Sequence, residues 1–158
     1  MPTSEPSPAR IVADADVLVA DLFVDGDARR AMDVVRQHSW LTLVASDELL
    51  DDAEAVVESL GDAALAADWR ERIEELREPV DQPAGDHPGL ASAYQGGAMH
   101  LLSFDERLGS VQAGATLQGR IPLSVRHPKA FAALFDAASL YREVVGDEYP
   151  GPDRDPRA

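Results

Sequence analysis

Several residue types are scarce in this chain, and each scarcity excludes a class of structure. Cysteine is absent from the 158 residues, so disulfide bonds and thiolate metal centres are excluded. No apolar run approaches the roughly 18 residues that a membrane-spanning helix needs, which predicts that the protein has no membrane partner. The opening residues MPTSEPSPAR lack the basic start and the apolar centre of a signal peptide. We therefore expect a cytoplasmic protein.

Basic residues are scarce as well: the chain has 14 of them and 29 acidic residues, so its formal net charge is −15. Lys129 is the only lysine, and the other basic residues are arginines. The acids are scattered over every segment rather than gathered in one tail. This distribution favours adaptation to concentrated intracellular salt over a docking surface for a basic partner. The composition therefore indicates a halophilic protein.

The alternation of apolar runs and amphipathic segments predicts the fold class. Strand-like runs occur in IVADADVLV, WLTLVA, AMHLLSF and RIPLSVR, and EPVDQPAG is a short strand or a loop. Helical patterns separate these runs, which predicts an α/β fold: a three-layer α/β/α sandwich with a central, mostly parallel sheet. In this pattern Ser46 is expected to cap the helix that follows the second strand.

The ends of the chain and its last helix are predicted from composition and periodicity. We expect a disordered lead over residues 1–9, one domain over residues 10–145 and a disordered, Pro-rich tail over residues 146–158. The segment HPKAFAALFDAASLYREVV is predicted to be one helix. Its inner face is expected to consist of Phe131, Leu134, Phe135, Ala138 and Tyr141.

Acidic side chains stand where a site is expected in a sheet of this kind. In open parallel sheets, ligands bind outside the carboxyl ends of the strands. The candidate acids lie at predicted strand ends or in the first turns of the helices that follow them: Asp14, Asp16, Glu48, Asp52, Asp86 and Asp105. Each has an ordinary interpretation as a cap, turn or solvated residue. Asp14 is the least easily explained in that way, because apolar residues flank it on both sides.

Carboxylates that share a cleft repel one another, so an ionised cluster needs a cation. Cysteine and a histidine cluster are both missing, so the available ligands are hard oxygen donors. Such ligands suit Mg²⁺ or Mn²⁺ rather than zinc. These ions can activate a water and stabilise a leaving oxygen during phosphodiester cleavage. The acids therefore predict a metal site that acts on phosphate esters.

The ordered set of motifs resembles the PIN domain family of metal-dependent nucleases, over about residues 12–135. The matching segments are VADADVL, SDELLDD, DHPGLASAYQGGA, LLSFDERL and LSVRHPKAF. The second acid of the family is usually Glu, whereas the aligned residue here is Asp52, with Glu48 one turn away. The resemblance implies a ribonuclease that cleaves single-stranded RNA and leaves a 5′-phosphate and a 3′-hydroxyl.

The resemblance also implies roles for individual residues. One or two Mg²⁺ or Mn²⁺ ions would be held by Asp14, Asp52, Asp86 and Asp105. Asp16 would orient a ligand or a metal-bound water, and Ser103 would place a hydroxyl near the cleft. Small proteins of this family are often toxins held inactive by an antitoxin, whereas others process RNA. An antitoxin-like protein partner and a homodimer therefore both stay open.

The negative charge opposes RNA binding in dilute buffer, because RNA affinity comes largely from phosphate neutralisation. At about 1 M salt, however, the Debye length is only ~3 Å and distant acids are screened. Arg107 and Arg126 are candidate phosphate contacts, although both also fit as ordinary surface residues.

Two alternatives belong to other functional classes. A haloacid dehalogenase-type phosphatase would use DADV, with Asp14 as nucleophile and Asp16 as acid and base. That family needs a downstream lysine and then an acidic pair, and Lys129 is poorly placed for this. A non-catalytic PIN-like module that binds RNA or a protein is the other alternative, because Asp52 replaces the usual Glu and basic residues are few.

Overall fold

The computed structural model describes residues 5–81, 87–105, 107–108 and 123–156. Five strands and seven helices are delimited within this part of the chain. In chain order they are β1 (Ser7–Ala13), α1 (Ala15–Phe23), α2 (Asp27–Gln37), β2 (Thr42–Ser46), α3 (Asp47–Leu60), α4 (Ala63–Leu76), β3 (Arg77–Val80), α5 (Pro88–Gly96), β4 (Ala98–Leu102), β5 (Ser124–Arg126), α6 (Pro128–Leu134) and α7 (Ala137–Val144). The predicted α/β fold is confirmed.

The five strands form one all-parallel sheet with the order β3-β2-β1-β4-β5. The chain runs outward from β1 through β2 to β3, and then crosses back to place β4 on the other side of β1. Right-handed crossovers, which are the rule for parallel strands, are expected to place α1 to α4 on one face of the sheet and α5 on the other. The direction of winding reverses between β1 and β4. A crevice is expected at such a reversal, outside the carboxyl ends of these two strands.

The adjacent interior strands β1 and β4 are buried on both faces, as parallel strands covered by helices generally are. Ile11 and Val12 of β1 and Leu101 and Leu102 of β4 have no exposed surface. Helix α5 packs against β1, β2 and β4. Its approach to β2 depends on Gly96, because a Cβ atom there would lie only 2.2 Å from a methyl group of Val44.

The single final helix predicted from periodicity is wrong, because the structure has two helices, α6 and α7, over this segment. Asp136 separates them by capping α7, where its carboxylate accepts a hydrogen bond from the Ser139 amide at 3.1 Å. The break turns Leu134 outward, so that 72% of its surface is exposed. Leu134 therefore does not belong to the inner face, whereas Phe131 is buried.

Hydrogen bonds connect both ends of the described chain to the rest of the domain. The Ser7 amide already donates to the Gly97 carbonyl at 2.9 Å, three residues before the predicted start of the domain. In the segment expected to be a disordered tail, Tyr149 bonds His38 Nε2 at 2.6 Å and Asp153 accepts from the Ser39 amide at 2.8 Å. Residues 149–154 thus bind the connection between α2 and β2. None of the described helices has the length and apolarity that crossing a bilayer would require.

Candidate functional site

Asp14 lies where β1 gives way to α1, at the carboxyl edge of the sheet. Its amide still belongs to the β1–β4 pairing, since it donates to the Leu102 carbonyl at 2.8 Å. Its carboxylate caps α1 by accepting from the Ala15 amide at 3.0 Å. Only 13% of this side chain is exposed. The change from strand to helix thus holds a nearly buried carboxylate at the expected crevice.

Ser103 connects Asp14 to the segment that follows β4. Its hydroxyl donates to Asp14 Oδ2 at 3.0 Å and accepts from the Asp105 amide, also at 3.0 Å. The side chain is buried, and this pair of bonds uses its one hydrogen and one of its lone pairs. A single hydroxyl therefore sets the position of Asp105 relative to Asp14.

Asp16, in the first turn of α1, is the third carboxylate at this edge. Its Oδ2 accepts a hydrogen bond from the Phe104 amide at 3.2 Å. Partial burial raises the pKa of Asp16, and the negative charges of Asp14 and Asp105 raise it further, whereas the hydrogen bond from Phe104 lowers it. The shift shows that the three carboxylates lie within electrostatic reach of one another.

Asp105 carries its own counter-charge. Arg107 Nε lies 3.1 Å from Asp105 Oδ1, and Arg107 Nη2 lies 3.2 Å from Oδ2, so the guanidinium binds both oxygens. The hydrogen bonds from Arg107 hold the pKa of Asp105 below its usual range, and the nearby His87 adds to this effect. The arginine that was predicted to contact a substrate phosphate is therefore engaged with an acid of the site.

His87 is a member of the site that the sequence reasoning missed. It caps α5, and its Nδ1 accepts from the amides of Gly89 at 3.1 Å and Leu90 at 3.3 Å. Because Nδ1 is an acceptor, the hydrogen of the neutral ring must sit on Nε2. Nε2 lies 3.9 Å from Asp14 Oδ2, so this N–H group faces the carboxylate. The available signal was its place directly before Pro88 at the start of a helix.

The first turn of α5 packs closely against Asp14. A Cβ atom on Gly89 would lie 3.2 Å from Asp14 Oδ1, which is tighter than ordinary van der Waals contact. The small residue lets the helix backbone approach the carboxylate closely. The motif that follows Asp86 in the sequence therefore reaches the same edge as the motifs after β1 and β4.

The profile of one protein family matches residues 5–157, which is nearly the whole chain. The chain belongs to DUF7384, a family of unknown function. No curated protein and no solved structure matches the sequence. These comparisons assign no function to the DUF7384 domain.

Within the described residues, no hydrogen bond or ion pair links the other predicted residues of the DUF7384 domain to Asp14. Glu48 and Asp52 are exposed on α3, and neither side chain makes a hydrogen bond or ion pair with another described residue. Asp86 lies outside the described residues. Arg126 ends β5, where its carbonyl accepts from the Ser103 amide at 3.0 Å.

The site of the DUF7384 domain suits a hard divalent cation chemically, because the negatively charged atoms that could coordinate such an ion are all carboxylate oxygens. Partial burial is the main cause of the raised pKa of Asp16, and the charges of Asp14 and Asp105 add a repulsion that a cation would relieve. Within the described residues, no group of three or more His, Asp or Glu side chains is arranged to hold a metal ion. A complete ligand set would thus need a further residue beside Asp14 and Asp105.

Proposed function

We propose that this DUF7384 protein is a metal-dependent ribonuclease that hydrolyses single-stranded RNA at the carboxyl edge of its sheet, as enzymes of the PIN domain family do. The observation that carries the proposal is the Ser103 hydroxyl, which ties Asp14 to the Asp105 segment at 3.0 Å on each side. These two acids follow adjacent strands at the point where the winding of the sheet reverses. The ordered motifs of the sequence support the same function.

The residues proposed to hold Mg²⁺ or Mn²⁺ are Asp14 and Asp105, with Asp86 as the further ligand. When bound, such an ion lowers the pKa of a coordinated water and stabilises negative charge on the phosphate. Ser103 would keep Asp14 Oδ2 in one orientation throughout. Asp16, whose Oδ2 is engaged by the Phe104 amide, would orient the attacking water with its other carboxylate oxygen.

The test is cleavage of several single-stranded RNAs in about 1 M KCl, where the acidic surface is screened, with Mn²⁺ or Mg²⁺ and with a chelator. We expect cleavage only with metal, and we expect Asp14→Asn and Asp105→Asn each to abolish it. Asp68→Asn is the matched control, because Asp68 is an exposed acid on α4. Asp52→Asn and Glu48→Gln, measured separately, decide whether either one takes part.

Two outcomes would overturn the proposal. RNA that is never cut, by a protein whose circular dichroism shows an intact fold, would contradict the nuclease. Hydrolysis of a small phosphate ester that is lost in Asp14→Asn would instead favour the phosphatase.

A non-catalytic RNA-binding module is the second candidate function. The observation that favours it is the ion pair between Arg107 and Asp105, which occupies one of the two principal acids. RNA that is bound in the presence of metal and never cut would support this candidate.

A further inference from the structure

We infer that Phe104 and His127 form a stacking platform for one base of the RNA, beside the three acids. The inference rests on the proposed function and names the part of the substrate that this edge of the domain would recognise. It comes from two aromatic rings that the sequence reasoning left unassigned.

The pairing of β4 with β5 brings the two rings together. Leu102 lies opposite Arg126 in the parallel register, and the Ser103 amide donates to the Arg126 carbonyl at 3.0 Å. The residues that follow the two strands therefore leave the sheet at the same edge. The rings of Phe104 and His127 meet there with their centroids 5.0 Å apart and their planes at 78°.

The geometry of the pair leaves aromatic surface open for a ligand. In a near-perpendicular pair, the edge of one ring contacts the face of the other. Neither ring therefore covers a whole face of its neighbour, as it would in a parallel stack. Phe104 is 37% exposed, and His127 is exposed as well. A corner of this shape can take a flat ring, which would stack on one wall and touch the other. Every nucleobase offers such a ring, so stacking needs no particular base.

The platform is held in place before any ligand arrives. His127 caps α6, and its Nδ1 accepts from the Lys129 amide at 3.0 Å, which fixes the plane of the ring. The Phe104 amide donates to Asp16 at 3.2 Å, which fixes the backbone beneath the other ring. A preorganised site binds its ligand at a lower entropic cost.

The position of the platform identifies which base it would take. Phe104 lies between Ser103 and Asp105 in the chain, and its amide donates to Asp16, so its backbone is adjacent to the residues that carry the acids. A stacked base would therefore belong to a nucleotide next to the phosphate that is cut. Positioning of that nucleotide contributes directly to the cleavage rate.

The charge of the chain is a second reason to expect stacking. A net charge of −15 leaves little long-range attraction for phosphates. Binding that depends on phosphate neutralisation also weakens as the salt concentration rises. Base stacking on an aromatic ring does not depend on charge neutralisation, so it supplies affinity where this protein otherwise has little.

The experiment measures binding of a short single-stranded RNA by fluorescence anisotropy, in about 1 M salt with metal, using Asp14→Asn as a background that does not cut. Phe104→Leu removes the ring and keeps an apolar side chain, whereas Phe104→Trp keeps a stacking surface. His127→Asn removes the second ring and retains a capping oxygen for α6. Phe23→Leu is the matched control, because Phe23 is 39% exposed at the end of α1.

We expect Phe104→Leu to weaken RNA binding by roughly 5- to 150-fold, which corresponds to the loss of one stack between a base and an aromatic ring. Phe104→Trp should restore the affinity, His127→Asn should weaken binding less, and Phe23→Leu should leave it unchanged. An oligonucleotide of the same length whose bases are replaced by abasic sites should bind Phe104→Leu and the Asp14→Asn background equally.

Three results would overturn the inference, and they differ in what they leave standing. Unchanged RNA binding by Phe104→Leu would refute the platform and would leave the nuclease intact, provided that the wild-type protein still cuts RNA. An equal loss of affinity for the abasic strand would show that Phe104 acts other than by stacking, for example at a protein interface. Absence of RNA binding and of cleavage by the wild-type protein would remove the platform and the proposed function together.

Discussion

Replacing Ser103 by alanine tests the connection on which the site is built. The substitution removes one hydroxyl that donates to Asp14 and accepts from the Asp105 amide, each at 3.0 Å. A hydrogen bond to a charged group contributes about 1.5–3 kcal/mol, and a neutral one contributes about 1 kcal/mol. Asp14 keeps its bond from the Ala15 amide and is 13% exposed, so water replaces part of what is lost. The net loss of stability should be about 2 kcal/mol.

A loss of this size can be read as a melting temperature. For a chain of this length, 1 kcal/mol corresponds to about 2–4 °C, so Ser103→Ala should melt roughly 4–8 °C lower in metal-free buffer. Ser103→Thr keeps the hydroxyl and should recover most of the difference. Ser92→Ala is the matched control: Ser92 is equally buried and accepts from the Ser46 amide at 3.0 Å, but it touches none of the three acids.

The rate of RNA cleavage is a second measurement, and it should fall in Ser103→Ala but not in the control Ser92→Ala. Misplacing Asp105 relative to Asp14 should lower the rate of RNA cleavage by about 10- to 100-fold. The rate is measured at a temperature well below the melting temperature of either variant, so that both are folded. Ser92→Ala should cut at close to the wild-type rate. A Ser103→Ala protein with the wild-type melting temperature would show that the two hydrogen bonds of the Ser103 hydroxyl do not stabilise the fold. A protein that melts lower but cuts normally would refute the role of that hydroxyl in the site.

Two further predictions address the electrostatics of the site and the end of the chain. The pKa of Asp16 is raised above 3.8 by partial burial and by Asp14, so the ionised side chain destabilises the folded state above its folded pKa. Asp16→Asn should therefore stabilise the folded protein at pH 7 by less than about 1 kcal/mol, because solvent still screens the charge of this partly buried side chain, and the melting temperature should rise by under about 4 °C. The gain should vanish below pH 3.8, and an equal gain at both pH values would contradict the electrostatic cause. Tyr149→Phe removes the hydroxyl that bonds His38 at 2.6 Å and should cost about 1 kcal/mol, seen as a fall of roughly 2–4 °C; no change in melting temperature would mean that the end of the chain does not stabilise the fold.

The parts of the fold that could be predicted from sequence are those set by local patterns. Buried parallel strands appear as continuous apolar runs, which is why β1 and β4 were readable around Ile11 and Leu101. The order of strands and helices then restricted the topology to a parallel sheet. The break at Asp136 was also readable, since an Asp followed three residues later by Ser139 is a capping pattern. A strong apolar period concealed it.

Contacts between distant segments were beyond sequence reasoning. Nothing in the composition of residues 146–156 shows that Tyr149 reaches a histidine 111 positions earlier. The same holds for His87, whose Nε2 faces Asp14 only because α5 and β1 meet at one edge. Because ligands bind outside the carboxyl ends of the strands in open parallel sheets, the sequence was enough to place Asp14 and Asp105 at a common edge. It did not reveal that Arg107 would bind Asp105 there.

The three carboxylates are held in place by hydrogen bonds from the chain itself. Asp14 receives bonds from Ser103 and Ala15, Asp16 receives one from Phe104, and Asp105 is paired with Arg107. Each acid is therefore stabilised by donors from the chain itself. Folding and cleavage should consequently separate. A chelator is expected to stop RNA cleavage while the circular dichroism stays that of the folded protein, because these internal donors already hold the acids in place.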